Sequence, residues 1–259
     1  MGNLILKSRH RVMCGDSTVI TNVEMLMNGE KADMVFTDPP YNVGYSNQNR
    51  PKPGKIDLGY IPNDSLSDDD FKELLRSSLN NSYLLSADNA SLYLWYASKE
   101  TINFFTATRD SGWEMNQQII WKKPMLLGRS KYQWAHEPCI FAVKGSPHFT
   151  DDRTKTTVWD IGGYDKSKNE HPTQKPVALA EEALNNSSVK NSIVLDLFGG
   201  SGSTLIACEK TNRKCFMMEI SELYCNVIVR RWMKFTQKQA ILESTKQTFD
   251  EIANGATKV

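Results

Sequence analysis

The sequence lacks paired cysteines, long apolar runs and any marked net charge. Its five cysteines are scattered over 259 residues, and none forms a Cys-x-x-Cys pair. Neither a disulfide framework nor a zinc site is therefore predicted. No apolar run approaches bilayer-spanning length, so a transmembrane segment is not expected. The formal net charge is +1, which means that a polyanion would have to be held by a local patch.

What is present is the composition of an ordinary α/β protein. Hydrophobic residues make up 40% of the chain and the mean hydropathy is −0.47. Charges at Lys7, Arg9 and Arg11 interrupt the first residues before a signal-peptide core can develop. We expect a cytoplasmic protein with no membrane or metal partner. Residues 1–235 are predicted to form one domain, followed by a polar helix or tail at residues 236–259.

An apolar run that ends in an acid and two prolines is the strongest local signal. Residues 34–36 predict a buried strand, and Asp38, Pro39, Pro40 and Tyr41 follow it after one threonine. Proline fixes φ and has no N–H, so the strand must stop there. Asp38 is then held at the carboxyl end of a strand, where open α/β sheets bind ligands. The plainer alternative is a proline-rich turn with a capping aspartate.

A glycine-rich turn between a strand and a helix is the second signal. Residues 193–197 predict a buried strand that runs into the glycines of residues 199–202. Glycine allows a ligand to approach the backbone closely. A dinucleotide fingerprint would need a further glycine near Leu205, and a phosphate loop would need Gly-Lys-Ser/Thr; both are absent. Asp196 lies just before the turn.

Two more acids follow predicted strands. Glu219 ends the strand at residues 215–218, about 20 residues beyond the glycines, a position typical of an acid that accepts hydrogen bonds from ribose. Asp16 follows the strand at residues 11–14. For each acid the alternative is a helix-capping role.

Three motifs together resemble a known family. Residues 38–41 resemble the catalytic Asp-Pro-Pro-Tyr motif of S-adenosylmethionine-dependent amino methyltransferases. The Asp-x-Phe-Gly-Gly-x-Gly segment at residues 196–202 resembles their cofactor loop, and His-Pro-Thr-Gln-Lys-Pro at residues 171–176 resembles an additional cofactor-side motif. Because the catalytic turn precedes the cofactor loop, the order resembles that of the β-class, circularly permuted DNA amino methyltransferases. The resemblance extends over nearly all of residues 11–232.

This resemblance implies both a fold and an activity. The fold is α/β, a doubly wound, mostly parallel Rossmann-like methyltransferase sheet with an antiparallel edge pair. The activity is methyl transfer from S-adenosylmethionine to the N6 atom of a flipped adenine in double-stranded DNA, because cytosine-directed relatives more often carry serine in place of Asp38. N4-cytosine methylation, RNA base methylation and a silent nucleic-acid-binding relative remain alternatives. A bacterial or phage-encoded, nucleoid-associated enzyme of the restriction-modification kind is implied, and a homodimer stays open.

The resemblance also assigns site residues. Asp38, Pro39, Pro40 and Tyr41 are the expected catalytic residues. The expected cofactor-binding residues are Asp16, Thr173, Lys175, Asp196, Phe198, Gly199, Gly200, Gly202, Ser203, Thr204 and Glu219.

A stretch free of acids is the candidate DNA contact. Between Glu114 and Glu137 basic residues alternate with aromatic ones, a pattern that fits phosphate neutralisation and base contact. A solvated charged face is the competing interpretation. We expect a target-recognition region at residues 125–170 and a mobile loop over the substrate at residues 42–64. The expected DNA-binding residues are Lys122, Lys123, Arg129, Lys131, Tyr132 and Trp134.

Overall fold

Parallel strands form the centre of the molecule. The computed structural model describes residues 3–6, 9–44, 62–127, 131–162 and 175–255. Within these residues ten strands join in one sheet. The strands are β1 (Asn3–Leu6), β2 (His10–Cys14), β3 (Ala32–Thr37), β4 (Ser86–Trp95), β5 (Glu114–Leu127), β6 (Trp134–Lys144), β7 (Val158–Trp159), β8 (Ile193–Asp196), β9 (Lys214–Glu219) and β10 (Ala240–Leu242). The helices are α1 (Ile20–Met27), α2 (Asp68–Leu84), α3 (Thr101–Asp110), α4 (Val177–Ser187), α5 (Ser203–Thr211), α6 (Glu222–Thr236) and α7 (Phe249–Gly255).

The strand order confirms the predicted fold class. Across the sheet the order is β10-β1-β2-β9-β8-β3-β4-β6-β5-β7. The five central strands, β2, β9, β8, β3 and β4, pair in parallel. On one side β6 and β5 add the expected antiparallel pair. The result is a mostly parallel sheet with helices on both faces.

Both faces of β3 are buried, as its continuous apolar sequence requires. Met34 and Phe36 pack into one core with α4, α5 and α6. Val35 points the other way, into a second core with α1, α2 and α3. Because the strand is enclosed on both sides, its carboxyl end is held rigidly.

The chain reverses direction across the sheet between β3 and β8. From β3 it continues to β4 on one side, and from β8 it continues to β9 on the other. Met34 pairs with Val194 and Val35 with Leu195, in parallel. The strands that lead to Asp38 and Asp196 are therefore neighbours. Such a switch point opens a crevice at the carboxyl ends of the strands.

The opposite edge of the sheet differs from the sequence prediction. Strand β1 was not predicted, and it pairs antiparallel with both β2 and β10. The segment expected to be a polar helix or tail thus contributes a strand as well as α7, and Ala240 and Phe249 are buried. These elements are short, and β10 pairs with a strand distant in sequence, so local periodicity does not reveal them.

No helix among the described residues is both long and apolar enough to cross a membrane. Residues 45–61 of the predicted substrate loop lie outside the described part of the chain.

Candidate active site

The Pro-Pro turn (residues 38–41) leaves β3 at the crevice between β3 and β8. Asp38 is partly buried, and Asn42, just beyond the turn, adopts a left-handed φ of 54°. The Asn42 side chain accepts a hydrogen bond from the Leu66 N–H at 2.7 Å and donates to the Leu66 carbonyl at 3.2 Å. The exit of the turn is therefore fixed to the segment that leads into α2.

Each oxygen of Asp38 contacts a donor within the protein. Oδ1 lies 2.6 Å from the Tyr41 hydroxyl, and Oδ2 accepts from Lys175 Nζ at 2.5 Å. The Tyr41 hydroxyl also lies 2.7 Å from Glu137 Oε1. A hydroxyl has one hydrogen, so Tyr41 can donate to only one of these carboxyl groups at a time.

Two lysines and two carboxylates form a charged cluster around this turn. Lys175 Nζ contacts Glu137 Oε1 at 2.6 Å, and Lys123 Nζ contacts Glu137 Oε2 at 2.5 Å. Lys175 also lies over the rings of Tyr41 and Trp95 at 5.2 and 5.4 Å. The ion-pair partners neutralise one another, which is what burial of four charges requires.

The cluster perturbs the pKa of each of its acids. Burial raises the pKa of Asp38; Glu137 adds to that rise and Lys175 opposes it. Burial also disfavours ionisation of Glu137, but Lys175 and Lys123 outweigh it and lower its pKa to about 2. Burial and the two adjacent carboxylates raise the pKa of Tyr41. Glu137 is therefore the permanently ionised member, whereas Asp38 is the easier carboxyl to protonate.

The glycine loop (residues 196–204) follows β8 and opens α5. A Cβ placed on Gly199 would lie 2.8 Å from Met217 Cγ, so this glycine is needed for packing. Gly200 has a φ of 51°, and a Cβ there would find only the Phe198 carbonyl, at 4.0 Å. The loop thus packs tightly on one side and leaves open space on the other.

Asp196 organises the glycine loop from beneath. Its carboxylate accepts hydrogen bonds from the Thr204 hydroxyl at 2.7 Å, the Phe198 N–H at 3.1 Å and the Thr37 hydroxyl at 3.0 Å. Burial raises the pKa of Asp196 to about 7. Because Thr37 precedes Asp38, this last bond joins the glycine loop to the Pro-Pro turn.

Glu219 and Asp16 lie at the ends of neighbouring strands, and each makes local contacts. Glu219 Oε2 accepts from the Gly200 N–H at 2.8 Å, and Oε1 accepts from the Ser221 N–H at 3.0 Å. Burial raises the pKa of Glu219. Asp16 Oδ1 accepts from the Thr18 N–H at 2.9 Å, a local turn contact; the N-cap of α1 is Val19 and has no side-chain cap, so the capping alternative for Asp16 is wrong. Neither contact uses all the lone pairs of its carboxylate.

Lys175 connects the two parts of the site. While its ammonium contacts Asp38, its main-chain carbonyl accepts a hydrogen bond from the Ser203 hydroxyl at 2.8 Å. Thr173, the other residue expected from the hexapeptide, lies outside the described residues. Arg231 of α6, which was not predicted from the sequence, donates to the Ser201 carbonyl at 2.8 Å and supports the glycine loop.

The expected DNA-contacting residues occupy different environments. Tyr132 and Trp134 are exposed, at 93% and 39%, and Lys131 beside them is exposed too. Lys122 is exposed and pairs with Asp160 at 2.7 Å. Lys123 instead points into the charged cluster: Glu137 pairs with Trp121 across the β5–β6 pair, and Lys123 lies diagonal to it on the same face. Arg129 lies outside the described residues.

Glu137 was not singled out from the sequence. The only available signal was that it ends the acid-free stretch just before the apolar part of β6. Its position beside Tyr41, 96 residues earlier in the chain, is set by the strand order and not by any local pattern.

Comparisons with known proteins agree with this geometry. A family model described as DNA methylase, for N6/N4 methyltransferases, matches residues 32–230. The Type II methyltransferase M.HpaI of Haemophilus parainfluenzae is 26% identical over 247 residues, covering 85% of this chain and 73% of that protein.

Two solved structures share the fold. The M1.HpyAVI–SAM complex has a TM-score of 0.66 at 23% identity and covers 85% of this chain and 98% of that one. The PvuII DNA methyltransferase, described as cytosine-N4-specific, has a TM-score of 0.67 at 16% identity, with coverage of 87% and 86%.

The match to the DNA methylase family model defines a methyltransferase that uses S-adenosylmethionine, and the sheet brings the Pro-Pro turn and the glycine loop together at its switch point. This chain belongs to the N6/N4 DNA methylase family. Its substrate is DNA, and the predicted cofactor and the broader enzyme class, an S-adenosylmethionine-dependent DNA methyltransferase, are confirmed.

The residues present fit S-adenosylmethionine. Gly200 leaves an open cradle that any larger side chain would fill, and the Glu219 carboxylate beside it has lone pairs available for ribose hydroxyls. Among the described residues no three His, Cys, Asp or Glu side chains are grouped to hold a metal ion.

Proposed function

We propose that this enzyme methylates the exocyclic N6 of adenine in double-stranded DNA, with Asp38 as the principal catalytic residue. Support comes from the aspartate that begins the Pro-Pro turn and from the position of that turn beside the glycine loop. The fold likeness to the cytosine-N4-specific PvuII enzyme makes N4-cytosine methylation the second candidate.

The adenine amino group needs help from the enzyme because its lone pair is delocalised into the ring. The Asp38 carboxylate and the Pro39 carbonyl would each accept a hydrogen bond from one N–H of this amino group. Those two bonds draw the nitrogen toward tetrahedral geometry and direct its lone pair away from the ring. The carboxylate also stabilises the positive charge that develops on nitrogen during transfer. Bound S-adenosylmethionine supplies the electrophilic methyl group on a sulfonium.

Rigidity of the turn is the second contribution. Two prolines, the enclosed strand β3 and the Asn42–Leu66 hydrogen bonds hold Asp38 in place before the substrate arrives. Such preorganisation removes much of the entropic cost of aligning the reacting groups. The Thr37–Asp196 hydrogen bond fixes the Pro-Pro turn relative to the glycine loop, which would hold the methyl donor.

Binding of the base requires an exchange of partners at Asp38. Lys175 Nζ now contacts Asp38 Oδ2, and the target amino group would take its place. Tyr41 would stack on the base, an interaction worth about 1–3 kcal/mol. A base inside a duplex cannot reach this crevice, so we propose that the target nucleotide is flipped out of the helix.

The tip of the β5–β6 hairpin is the proposed DNA contact. Tyr132 and Trp134 expose aromatic surface beside the exposed Lys131, a combination that suits phosphate neutralisation together with base stacking. Lys122 is a weaker candidate because Asp160 already neutralises it.

The observation that carries the proposal is the Pro-Pro turn of β3 beside the glycine loop of β8, linked by Thr37 and Asp196. The test is nucleoside analysis by mass spectrometry after incubation of duplex DNA, or RNA, with the enzyme and labelled S-adenosylmethionine. N6-methyldeoxyadenosine is expected. N4-methyldeoxycytidine would select the second candidate, label in RNA would overturn the substrate, and no transfer to either would indicate a silent relative.

A further inference from the structure

Glu137 is held inside the charged cluster by two lysine ammonium groups, and the Tyr41 hydroxyl lies close to it. Its side chain is 12% exposed. It lies 2.7 Å from the Tyr41 hydroxyl, 2.6 Å from Lys175 Nζ and 2.5 Å from Lys123 Nζ. A buried carboxylate is tolerated only with such partners. Its own strand, β6, is anchored in the sheet, so the charge has a fixed position.

The contacts of Lys175 show why a second carboxylate is needed. An ammonium group has three hydrogens, and Lys175 directs them at Asp38 Oδ2, Glu137 Oε1 and the Tyr41 hydroxyl, at 2.5, 2.6 and 2.9 Å. While Lys175 remains on Asp38, it occupies the acceptor that the target amino group would use. It would also place a cation beside a nitrogen that becomes positive during transfer, which is unfavourable.

We infer that Glu137 is a positioning residue for methyl transfer: it retains the Lys175 ammonium when the target base displaces Lys175 from Asp38. Lys123 holds Glu137 through its other oxygen, so Glu137 stays in place while Lys175 changes partners. Lys175 therefore keeps Glu137 as an anionic partner before and after it leaves Asp38. This inference rests on the proposed role of Asp38 as the acceptor of the target amino group.

Replacing Glu137 by glutamine removes the alternative anion and keeps the size of the side chain. Asp38 becomes the only anionic partner of Lys175 among its described contacts. The buried pair is then harder for the base to separate. We expect the single-turnover rate of methyl transfer, with DNA and S-adenosylmethionine saturating, to fall by about 10- to 100-fold, equivalent to about 1.4–2.8 kcal/mol. The Kd for S-adenosylmethionine should stay within about twofold of wild type, because Glu137 does not contact the glycine loop.

Glu209 provides a matched control. Its side chain is 13% exposed and contacts His10, Arg9 and Lys238 at the other edge of the sheet. Glu209→Gln removes a similarly buried and similarly paired carboxylate. It should lower the Tm while leaving the single-turnover rate unchanged. An equal loss of rate in both variants would mean that Glu137 matters only for stability, and would overturn the inference.

A double-mutant cycle tests whether Glu137 acts through Lys175. In the Lys175→Met background there is no ammonium to retain, so adding Glu137→Gln should cause little further loss of rate. If the two losses multiply instead, Glu137 does not act through Lys175 and the inference fails.

The pH profile gives a readout that a structural role would not move. Asp38 faces Lys175, Tyr41 and Glu137, with Asp196 and Cys139 nearby. The negative charge of Glu137 raises the pKa of Asp38, so its removal should move the acid limb of the rate profile to lower pH. An unmoved limb contradicts the inference.

Asp38→Ala separates this inference from the proposed function. Retention of methyl transfer in Asp38→Ala would end the proposed role of Asp38. An inactive Asp38→Ala together with a Glu137→Gln variant of wild-type rate would end only the inference about Glu137.

Discussion

The two corners of the active site each contain two carboxylates, yet they use them differently. Asp38 and Glu137, around the Pro-Pro turn, contact lysine ammonium groups that come from β5 and from the segment before α4. Asp196 and Glu219, around the glycine loop, accept hydrogen bonds from nearby hydroxyl and main-chain N–H groups.

The difference separates an exchangeable site from a fixed one. A lysine has a long flexible side chain, so its ammonium can change partners when a ligand with N–H donors arrives. The N–H of Phe198 or Gly200 cannot leave its carboxylate unless the loop itself unfolds. The turn proposed to accept a flipped base is therefore held by lysine side chains, whereas the glycine loop is held by main-chain N–H groups and nearby hydroxyls.

Removing the exchangeable acceptor should have the largest effect. Asp38→Ala leaves the target amino group with the Pro39 carbonyl alone, and the loss of such a group costs about 10²–10³-fold or more in rate. Tritiated methyl transfer to duplex DNA measures the loss, and calorimetry should show wild-type binding of S-adenosylmethionine. Full activity in this variant would mean that Asp38 is not the acceptor of the target amino group.

Filling the fixed corner should abolish cofactor binding. In Gly200→Trp the indole would occupy the open side of the glycine loop, and the left-handed φ of 51° adds about 1–2 kcal/mol of strain. Gly29→Trp is the matched control, because Gly29 also has a left-handed φ and open space but lies before β3, at the opposite rim. Only Gly200→Trp should eliminate the calorimetric signal for S-adenosylmethionine; if both variants bind it normally, the cradle is elsewhere.

The buried acid of the glycine loop should make stability depend on pH. The pKa of Asp196 is about 7 in the folded state and about 3.9 in the unfolded state. At a pH between these two values, the folded state keeps a proton on Asp196 that the unfolded state has lost. Its contribution to the free energy of unfolding should fall by about 2 kcal/mol from pH 5 to pH 7. Urea unfolding of cofactor-free protein measures this. Asp196→Asn should flatten the dependence, and an unchanged slope would contradict a raised pKa.

The smallest effect is expected at the hairpin proposed to contact DNA. Lys131→Gln should weaken duplex binding modestly and reduce the slope of log K against log salt by about 1. Lys122→Gln should change the slope less, because Asp160 already pairs with Lys122. Fluorescence anisotropy over a range of salt concentrations distinguishes them. Equal slopes in wild type and Lys131→Gln would remove Lys131 from the interface.

The central sheet and the two corners could be predicted because their signals are local. The apolar residues before Asp38 and Asp196, the prolines and the glycines each restrict the backbone where they stand. The pairing of β3 with β8, which are far apart in the sequence, is instead a property of the tertiary fold. Strands β1 and β10 were missed because they are short and pair across more than 200 residues of sequence.

The charged cluster could not be predicted, because it depends on side chains that only the tertiary fold brings together. Lys123 has the sequence environment of a DNA-binding lysine, yet its ammonium points inward to Glu137. Whether a lysine is on the surface or in an ion pair depends on its cross-strand neighbour, and the register of β5 and β6 is not encoded in any short motif.

A structure of the enzyme with target DNA and an unreactive analogue of S-adenosylmethionine would show directly which group accepts the target amino group. We expect a flipped adenine whose amino group lies within hydrogen-bond distance of the Asp38 carboxylate, with Lys175 withdrawn onto Glu137. A base bound elsewhere, with Lys175 still on Asp38, would contradict it.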